Sequence, residues 1–485
     1  GKRAMTFISR LPTWRFDCHV NRRLVPAKIM LFWVYMANSF FFPFAFLILR
    51  EAGLSALQIG TIAAIRPFVG IVSMPAWGFV ADRFGAQKAV LLLNIICAVT
   101  LRLSLLAVTE NQIMLVVFLL LSDVFGSAVE PSMDATVLEL LPDPGQYGRQ
   151  RLWGAIGWGW VGAPLAGVVV ATYGLSAAVE VHAALIALSL VIICPMTVMV
   201  PKRSGSPLAV AGIMFRDRVT FFFFLSILVI GQLTGAIFSF LFFLLQDLGD
   251  TGVVMGASLL LTCVTEVPVL AYADNVVRRI GLMNSMVLAL VCLAVRMGVY
   301  TIITDPWQVL YVEWLHGITF GLVWGAAVSY CRKIAPEGMG STTQGFLSAW
   351  KFGVGCGSGS LIAGAISNAY GLQFMFGVLA AVAALLAVLL LIAEYLGFLG
   401  KDPGERYNQF DQEGALAFDR EMSIAGSDIF QGDTPTVPRL SLSDRDGAYP
   451  ALISESSFSN LSMPGGGERG VDATSSGGRL NPGIL

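Results

Sequence analysis

Long apolar runs separated by short polar breaks set the pattern of this chain. Twelve stretches reach roughly the 20 residues that a helix needs to cross a bilayer. They lie near 27–49, 57–80, 89–108, 112–138, 152–172, 177–200, 219–245, 253–273, 284–303, 308–331, 344–367 and 372–398, with the break between the fourth and fifth the least sharply drawn. The pattern also repeats. Gly53 and Gly249 stand 196 positions apart, as do Gly60 and Gly256, and Arg83-Phe-Gly85 answers Arg279-Ile-Gly281 at the same offset. Tyr173-Gly-Leu answers Tyr370-Gly-Leu at 197. One offset held over four anchors means two copies of a six-helix unit running in the same direction. In so apolar a chain, that duplication outlines a two-half membrane transporter.

The expected organisation is a basic N-terminal segment (1–26), a first six-helix half (27–200), a linker (201–218), a second half (219–398) and a tail (399–485). Composition supports the division. The chain is 56% hydrophobic and only 13% charged, about half the charge of an ordinary soluble domain. Residues 401–485 hold 13 of the 32 acids and 7 of the 31 bases, a net of −6 that leaves the rest at +5. The tail is rich in Gly, Ser, Pro and Asp with no sustained apolar period, so it is expected to be disordered. Ser443 there is a candidate phosphorylation position, and Asn460-Leu-Ser462 is a sequon that cytoplasmic placement would leave unmodified. Seven scattered cysteines read as packed thiols. Residues 1–25 hold no signal-peptide pattern, and a start at Gly1 rather than Met leaves room for a preceding targeting segment.

Basic residues orient the bundle. The side shared by the N-terminus and the even-to-odd loops carries Arg22, Arg23, Arg83, Lys88, Arg149, Arg151, Lys202, Arg203, Arg216, Arg278, Arg279, Arg332 and Lys333, among others. The opposite loops offer Arg50 beside Glu110, Asp247, Asp250 and Asp305. Both termini are therefore expected in the cytoplasm, in a multi-pass protein whose membrane the sequence does not name.

Gly78-Phe-Val-Ala-Asp82-Arg83-Phe-Gly85-Ala-Gln-Lys88 follows the second run. Its glycines suit a tight turn with close helix approach, Asp82 suits a cap or an ion pair, and Arg83 and Lys88 suit anchoring at the membrane surface. A purely topogenic positive loop is the simpler alternative. This stretch resembles the signature loop of the major facilitator superfamily, and the second copy, Asp274 to Asn284, is degenerate. Three further stretches resemble that superfamily's lactose-permease-like branch, the major facilitator superfamily-associated domain group. They are Pro131-Ser-Met-Asp134 with Tyr147 to Trp158, Glu266-Val-Pro-Val, and Leu315-His316 through Gly345. The resemblance spans about 27–398 and implies an all-α membrane protein with the major facilitator fold: twelve helices in two six-helix halves, working by alternating access.

It also implies site residues. In that branch an acid of the fourth helix and an arginine opening the fifth hold the solute while a tryptophan stacks on a ring. The matching positions are Asp134, Arg151 and Trp158, with Glu130 the alternative acid and a packing role the alternative for Trp158. A carboxylate–guanidinium pair orients hydroxyls, and an aromatic face covers the apolar side of a ring. The coupling set of the branch maps to Glu266, Arg296 and His316, but its fourth position is Thr319, which cannot titrate. Glu313 stands three residues before His316, on one helical face with it, and pairs either with that cluster or with Lys351. The loop residues Gly78, Asp82, Arg83, Gly85 and Lys88 are implied to serve the gate.

Arg66, Arg102 and Asp123 also fall inside apolar runs. A charge at the bilayer centre costs at least ~2.5 kcal/mol, so each should meet a partner or face the cavity, and Arg66 is counted with the binding face. Arg102 and Arg296 stand 194 apart, which gives them a shared structural role beside any ionic one. Gly353, Gly355, Gly357 and Gly359 lie within an apolar run and read as close helix packing, not a nucleotide turn. His19, His182 and His316 are far apart, with only His316 placed deep in a run, and no metal site, cofactor, nucleic-acid surface or catalytic dyad is expected. The reading is a monomeric, non-enzymatic transporter of a small polar solute, sugar-like or nucleoside-like, driven by protons. An uncoupled facilitator and a transport-inactive receptor on the same fold are the alternatives. Topology is checked by cysteine labelling. A membrane-impermeant maleimide should label cysteines placed at Glu110 or Asp305 in intact cells, and one placed at Arg216 only after permeabilisation.

Overall fold

A computed structural model of the protein describes residues 24–141, 147–196, 218–335 and 340–398, which are helices joined by short turns and irregular connections. Nearly all of the N-terminal segment, the linker and the tail, with Ser443, Asn460 and Cys18, lie outside the described residues. Twelve helical passes are present among those described. They are α1 (25–51), α2 (Ala56–Phe84), α3 (Gln87–Ser104), α4 (112–140), α5 (147–173), α6 (175–193), α7 (Arg218–Asp247), α8 (Val253–Ile280), α9 (Leu282–Tyr300), α10 (306–334), α11 (340–370) and α12 (Leu372–Tyr395).

Eight continuous stretches are long and apolar enough to cross a membrane. One of them, Gln150–Ile193, is two passes, because Gly174 breaks the helical backbone at φ 85°. Three more passes are interrupted helices: α1 bends over 40–44, α10 includes a π-turn at Gly317–Leu322, and α11 includes one at Ala349–Cys356. A third π-turn, Ile156–Gly162, lies in α5.

Three of the four repeat anchors found in the sequence are turns of this structure. Gly53 and Gly249 close α1 and α7 at φ 82° and 96°; Gly85 and Gly281 separate α2 from α3 and α8 from α9 at 58° and 89°. Gly174 and Gly371 turn the chain between α5 and α6 and between α11 and α12. Positive φ is routine only for glycine, so duplication preserved the six positions where a side chain would obstruct the turn. One correction follows for the signature stretch. Gly78 to Phe84 complete the last turns of α2, only Gly85 and Ala86 form the connection, and Lys88 already belongs to α3. The helix continues because nothing stops it until a residue is needed at positive φ.

The two halves meet through glycines at the odd-to-even end of the bundle. A Cβ added to Gly60 of α2 would sit 2.5 Å from the Ser360 carbonyl and 3.0 Å from Gly364 of α11. The repeat mate of this crossing joins α5 to α8, where a Cβ on Gly167 would lie 2.5 Å from the Gly252 carbonyl and 2.9 Å from Gly256. Between them Arg50 ends α1, donating to the Phe243 carbonyl and the Gln246 amide oxygen, both at 3.0 Å, and pairing with Asp247. Arg50 and Gln246 are themselves 196 apart, so here mates touch across the repeat axis. Contacts continue inward to Gly353 against Ile71 and Gly159 against Cys263.

Within α11 the glycine run separates two neighbours. Gly353 and Gly357 face α2, whereas Gly355 and Gly359 meet Gly231 and Gln232 of α7. The packing reading of that run holds. Gly167→Leu is expected to force the α5–α8 crossing apart. A thiol reagent applied from the odd-to-even side should then label a cysteine at Ser239 severalfold faster, and an unchanged rate would show that the crossing does not seal that end.

Candidate translocation cavity and buried charge cluster

A cavity of about 540 Å³ lies mostly against the first half. Its polar wall comes from Asn38, Arg66, Arg102, Asp123, Glu130 and Asp134, and the second half contributes Phe238, Ser239, Cys356 and Ser360. Arg66 of α2 grips Asp123 of α4 in a two-pronged pair at 2.6 and 3.0 Å, the fork geometry that a guanidinium offers a carboxylate. One helical turn apart on α4, Glu130 and Asp134 face α1 and α5. Glu130 accepts a hydrogen bond from the Tyr35 hydroxyl at 2.9 Å. Arg151 of α5 lies 3.7 Å from Asp134 and stacks 3.9 Å from the centre of the Tyr35 ring. Tyr35 thus joins both acids and the arginine into one surface. Sequence gave no sign of it, because a tyrosine in an apolar run reads as packing until its neighbours are known.

Trp158 is elsewhere. It is half-buried against the apolar cluster that includes Leu31 and Met133 and is not among the residues lining the cavity. The π-turn of α5 explains the placement: Gly157 and Gly162 press on α1 and Gly159 on α8, which directs the intervening tryptophan away from the cavity.

The second half carries a separate, closed cluster. Arg296 of α9 is 2% exposed and donates to Glu313 at 3.0 Å and to Thr319 at 2.9 Å. Its third partner is His316 Nδ1 at 3.3 Å. Tyr300 donates to the same Glu313 carboxylate. Arginine has no acceptor, so His316 Nδ1 must accept and its proton resides on Nε2, which points to the Glu266 carboxylate 3.8 Å away. Glu266, Arg296, Glu313 and His316 are therefore brought together, and Thr319 stands in the cluster as a hydroxyl.

Glu313 is held by Arg296, not by Lys351. The Lys351 ammonium is fully buried with no hydrogen-bond partner among the described residues, within 4.2 to 5.2 Å of the ring centres of Phe320, Trp324 and Phe352. Three aromatic faces supply cation–π attraction in place of a carboxylate. Spacing of four between Phe320 and Trp324 was the available signal for this cage.

A further correction concerns His182, which is as deep as His316. It is fully buried in α6, donates from Nδ1 to the Ala37 carbonyl at 2.8 Å, and presents Nε2 to Arg102 at 3.4 Å. Two turns of α6 precede it, which brings it further in than a count from the run's edge suggested. Arg83 is exposed and Lys88 half-buried at the even-to-odd end; the Asp82 side chain lies outside the described residues.

Twelve membrane-crossing helices in two repeated halves, with a charged cavity between helices of both, define a transporter of the major facilitator type. The chain belongs to the MFS_1 like family, whose model matches residues 24–378. It is similar to the maltose permease of Geobacillus stearothermophilus, 26% identical over 382 residues that cover 75% of this chain and 93% of that protein. It is also similar to the transporter YwbF of Bacillus subtilis, 24% identical over 70% of this chain and 85% of that one. Among solved structures, the nucleoside transporter NupG superposes with a TM-score of 0.63 at 17% identity, over 77% of this chain and 99% of that one. The protein is a multi-pass membrane transporter and not an enzyme.

The Arg296–Glu313 pair tests the second-half cluster energetically. Glu313→Met alone strands a buried guanidinium and should cost about 3–5 kcal/mol, whereas the double Arg296→Met/Glu313→Met should recover most of it. Chemical denaturation of the purified variants reads this, and equal losses in the single and double variants would show that the pair is not coupled.

Proposed function

We propose that the protein is a secondary active transporter of a small polar organic solute, sugar-like or nucleoside-like, moved together with protons by alternating access. The observation that carries this reading is the cavity wall itself, where the Arg66–Asp123 pair and Asp134, backed by Arg151 behind the wall, present charge to a space of solute size. Hydroxyl groups can bridge such pairs, each accepting from a guanidinium and donating to a carboxylate. Asp134, Arg151 and Arg66 form the binding face, with Glu130 as a second acid. Trp158 contributes by a rotation of α5 that brings its ring toward the cavity in another state. The maltose and nucleoside specificities of the two named relatives belong to those proteins, and both are polyhydroxylated ring compounds consistent with a wall of this kind.

Glu266, Arg296, Glu313, His316 and Lys351 form the coupling face. A carboxylate at Glu266, beside the neutral His316 Nε2–H at 3.8 Å, can take up and release a proton of its own as the lysine cage and the histidine shift between states. Gly78, Asp82, Arg83, Gly85 and Lys88 control the even-to-odd end. The count of basic residues assigns that end to the cytoplasm, so a bundle joined at its odd-to-even end is the inward-facing form. A specific observation favours the second reading, an uncoupled facilitator. Glu313 is satisfied by both Arg296 and Tyr300 at 2% exposure and does not line the cavity.

Proteoliposomes with a trapped pH indicator separate the two. Symport predicts that adding solute outside alkalinises the outer medium and that Glu266→Gln abolishes this proton movement while solute exchange at equal pH persists. Transport that ignores the pH gradient and survives Glu266→Gln and Glu313→Gln together identifies a facilitator.

A further inference from the structure

We propose that the transported solute carries an anionic oxygen group, a carboxylate or a phosphate, and that Arg102 receives it. The inference rests on the transporter reading above and adds the charge of its substrate.

Arg102 and Arg296 occupy corresponding places in the third helix of each half, 194 positions apart, and both are buried, at 6% and 2% exposure. Each directs Nη1 to the acceptor nitrogen of a histidine, Arg102 to His182 and Arg296 to His316. There the likeness ends. Arg296 is answered by Glu313 and Thr319 and takes no part in the cavity.

Arg102 lines the cavity and makes no salt bridge among the described residues; its Nε, like that of Arg296, is buried with no hydrogen-bond partner among them. Its guanidinium is held flat by Phe41 and Phe42, with ring centres 5.0 and 4.7 Å away. Gly126 keeps the remaining side open, since a Cβ there would stand 2.8 Å from Nη2.

The cavity's own carboxylates are engaged elsewhere: Asp123 by both prongs of Arg66, Glu130 by Tyr35 and Asp134 by Arg151. Asp123 and Glu130 reach Arg102 only through space. One half thus provides the acid for its buried arginine, and the other half leaves that position facing the solute. The Nε is itself buried, so the fixed guanidinium offers an anionic oxygen its Nη2, beside Gly126 on the cavity wall. Arg102 is the positioned cation, His182 and the two phenylalanines are its mount, and the neutral part of the solute extends toward the Arg66 and Arg151 pairs. Sugar acids, sugar phosphates and nucleoside monophosphates have this composition.

The test is a thermal-shift titration of the purified full-length chain with matched sets: glucose, glucuronate and glucose 6-phosphate; uridine and uridine monophosphate; and acetate and inorganic phosphate as minimal probes. An anionic member should bind about tenfold or more tighter than its neutral partner, the scale of one charge-assisted hydrogen bond. Glucuronate and acetate against the two phosphate esters and inorganic phosphate distinguish the carboxylate from the phosphate. Arg102→Gln should erase the preference, bringing the anionic member's affinity to that of its neutral partner measured in the same variant. Gly126→Ala keeps the charge but crowds Nη2, and it should weaken only the anion, which serves if Arg102→Gln does not fold. Stabilisation by neutral members alone, by no anion at all, or by anions equally well in Arg102→Gln and Gly126→Ala overturns the proposal. Uptake of a neutral solute without anion preference would remove this inference and leave the transporter reading. Anion binding at Arg102 without uptake of any member would overturn the assignment of that anion to a transported solute.

Discussion

A guanidinium placed in hydrocarbon must be surrounded by groups that answer its charge, and four such placements organise this protein. The cost of leaving one unattended is a few kcal/mol on the lenient insertion scale and more on others, comparable with much of a domain's net stability. Arg66 is answered by a two-pronged carboxylate, Arg151 by an acid and a ring, Arg296 by an acid, a hydroxyl and a histidine, and Arg102 by a histidine and two rings. Helix positions follow from these demands. α2 must lie beside α4, α1 beside α5, and α9 beside α10, because each pair shares one buried charge and its complement.

The architecture was legible in the sequence to a large degree because its markers are local. A glycine that must adopt positive φ is the same residue in both copies, so the 196-residue offset exposed the turns directly. Apolar length exposed the passes, and the need to neutralise intramembrane charge singled out Arg66 and Asp123, which pair with each other, and Arg102, which lines the cavity. Other features were not legible, for equally physical reasons. Tyr35 and His182 act through contacts with helices 95 and 80 residues away in sequence, which no periodicity reports. Trp158 was matched to the binding face through the family resemblance, and the α5 π-turn alters the helical register just where the tryptophan stands. The end of α2 was drawn too early because charged residues look like a loop, although a helix accepts Asp82 and Arg83 readily at a membrane surface.

Symmetry and its failures separate scaffold from site. Gly60 with Gly364 and Gly167 with Gly256 are one crossing used twice, and Arg50 with Gln246 marks the axis between them. Charged residues do not obey the operation. The first half opens its polar groups to the cavity through α2, α3 and α4, while the second buries an equivalent set among α8, α9 and α10. A duplicated frame therefore presents two chemically different faces, one wet and one sealed, to whatever moves between them.

The π-turns of α5, α10 and α11 have a consequence for how such a frame can change over generations. A π-turn accommodates one residue more than an α-turn over the same rise, and each residue corresponds to about 100° of rotation. Removing a single residue from Ala349–Cys356 would restore ordinary helix and leave both ends of α11 in place. It would also rotate the residues before the turn by more than a quarter of a circle relative to Gly364 and carry Lys351 out of register with Phe320 and Trp324 of α10. The glycine seam at one end and the functional face at the other are thus joined by an adjustable coupling. One inserted or deleted codon can re-aim a binding surface in this fold without disturbing the crossing that holds its halves together.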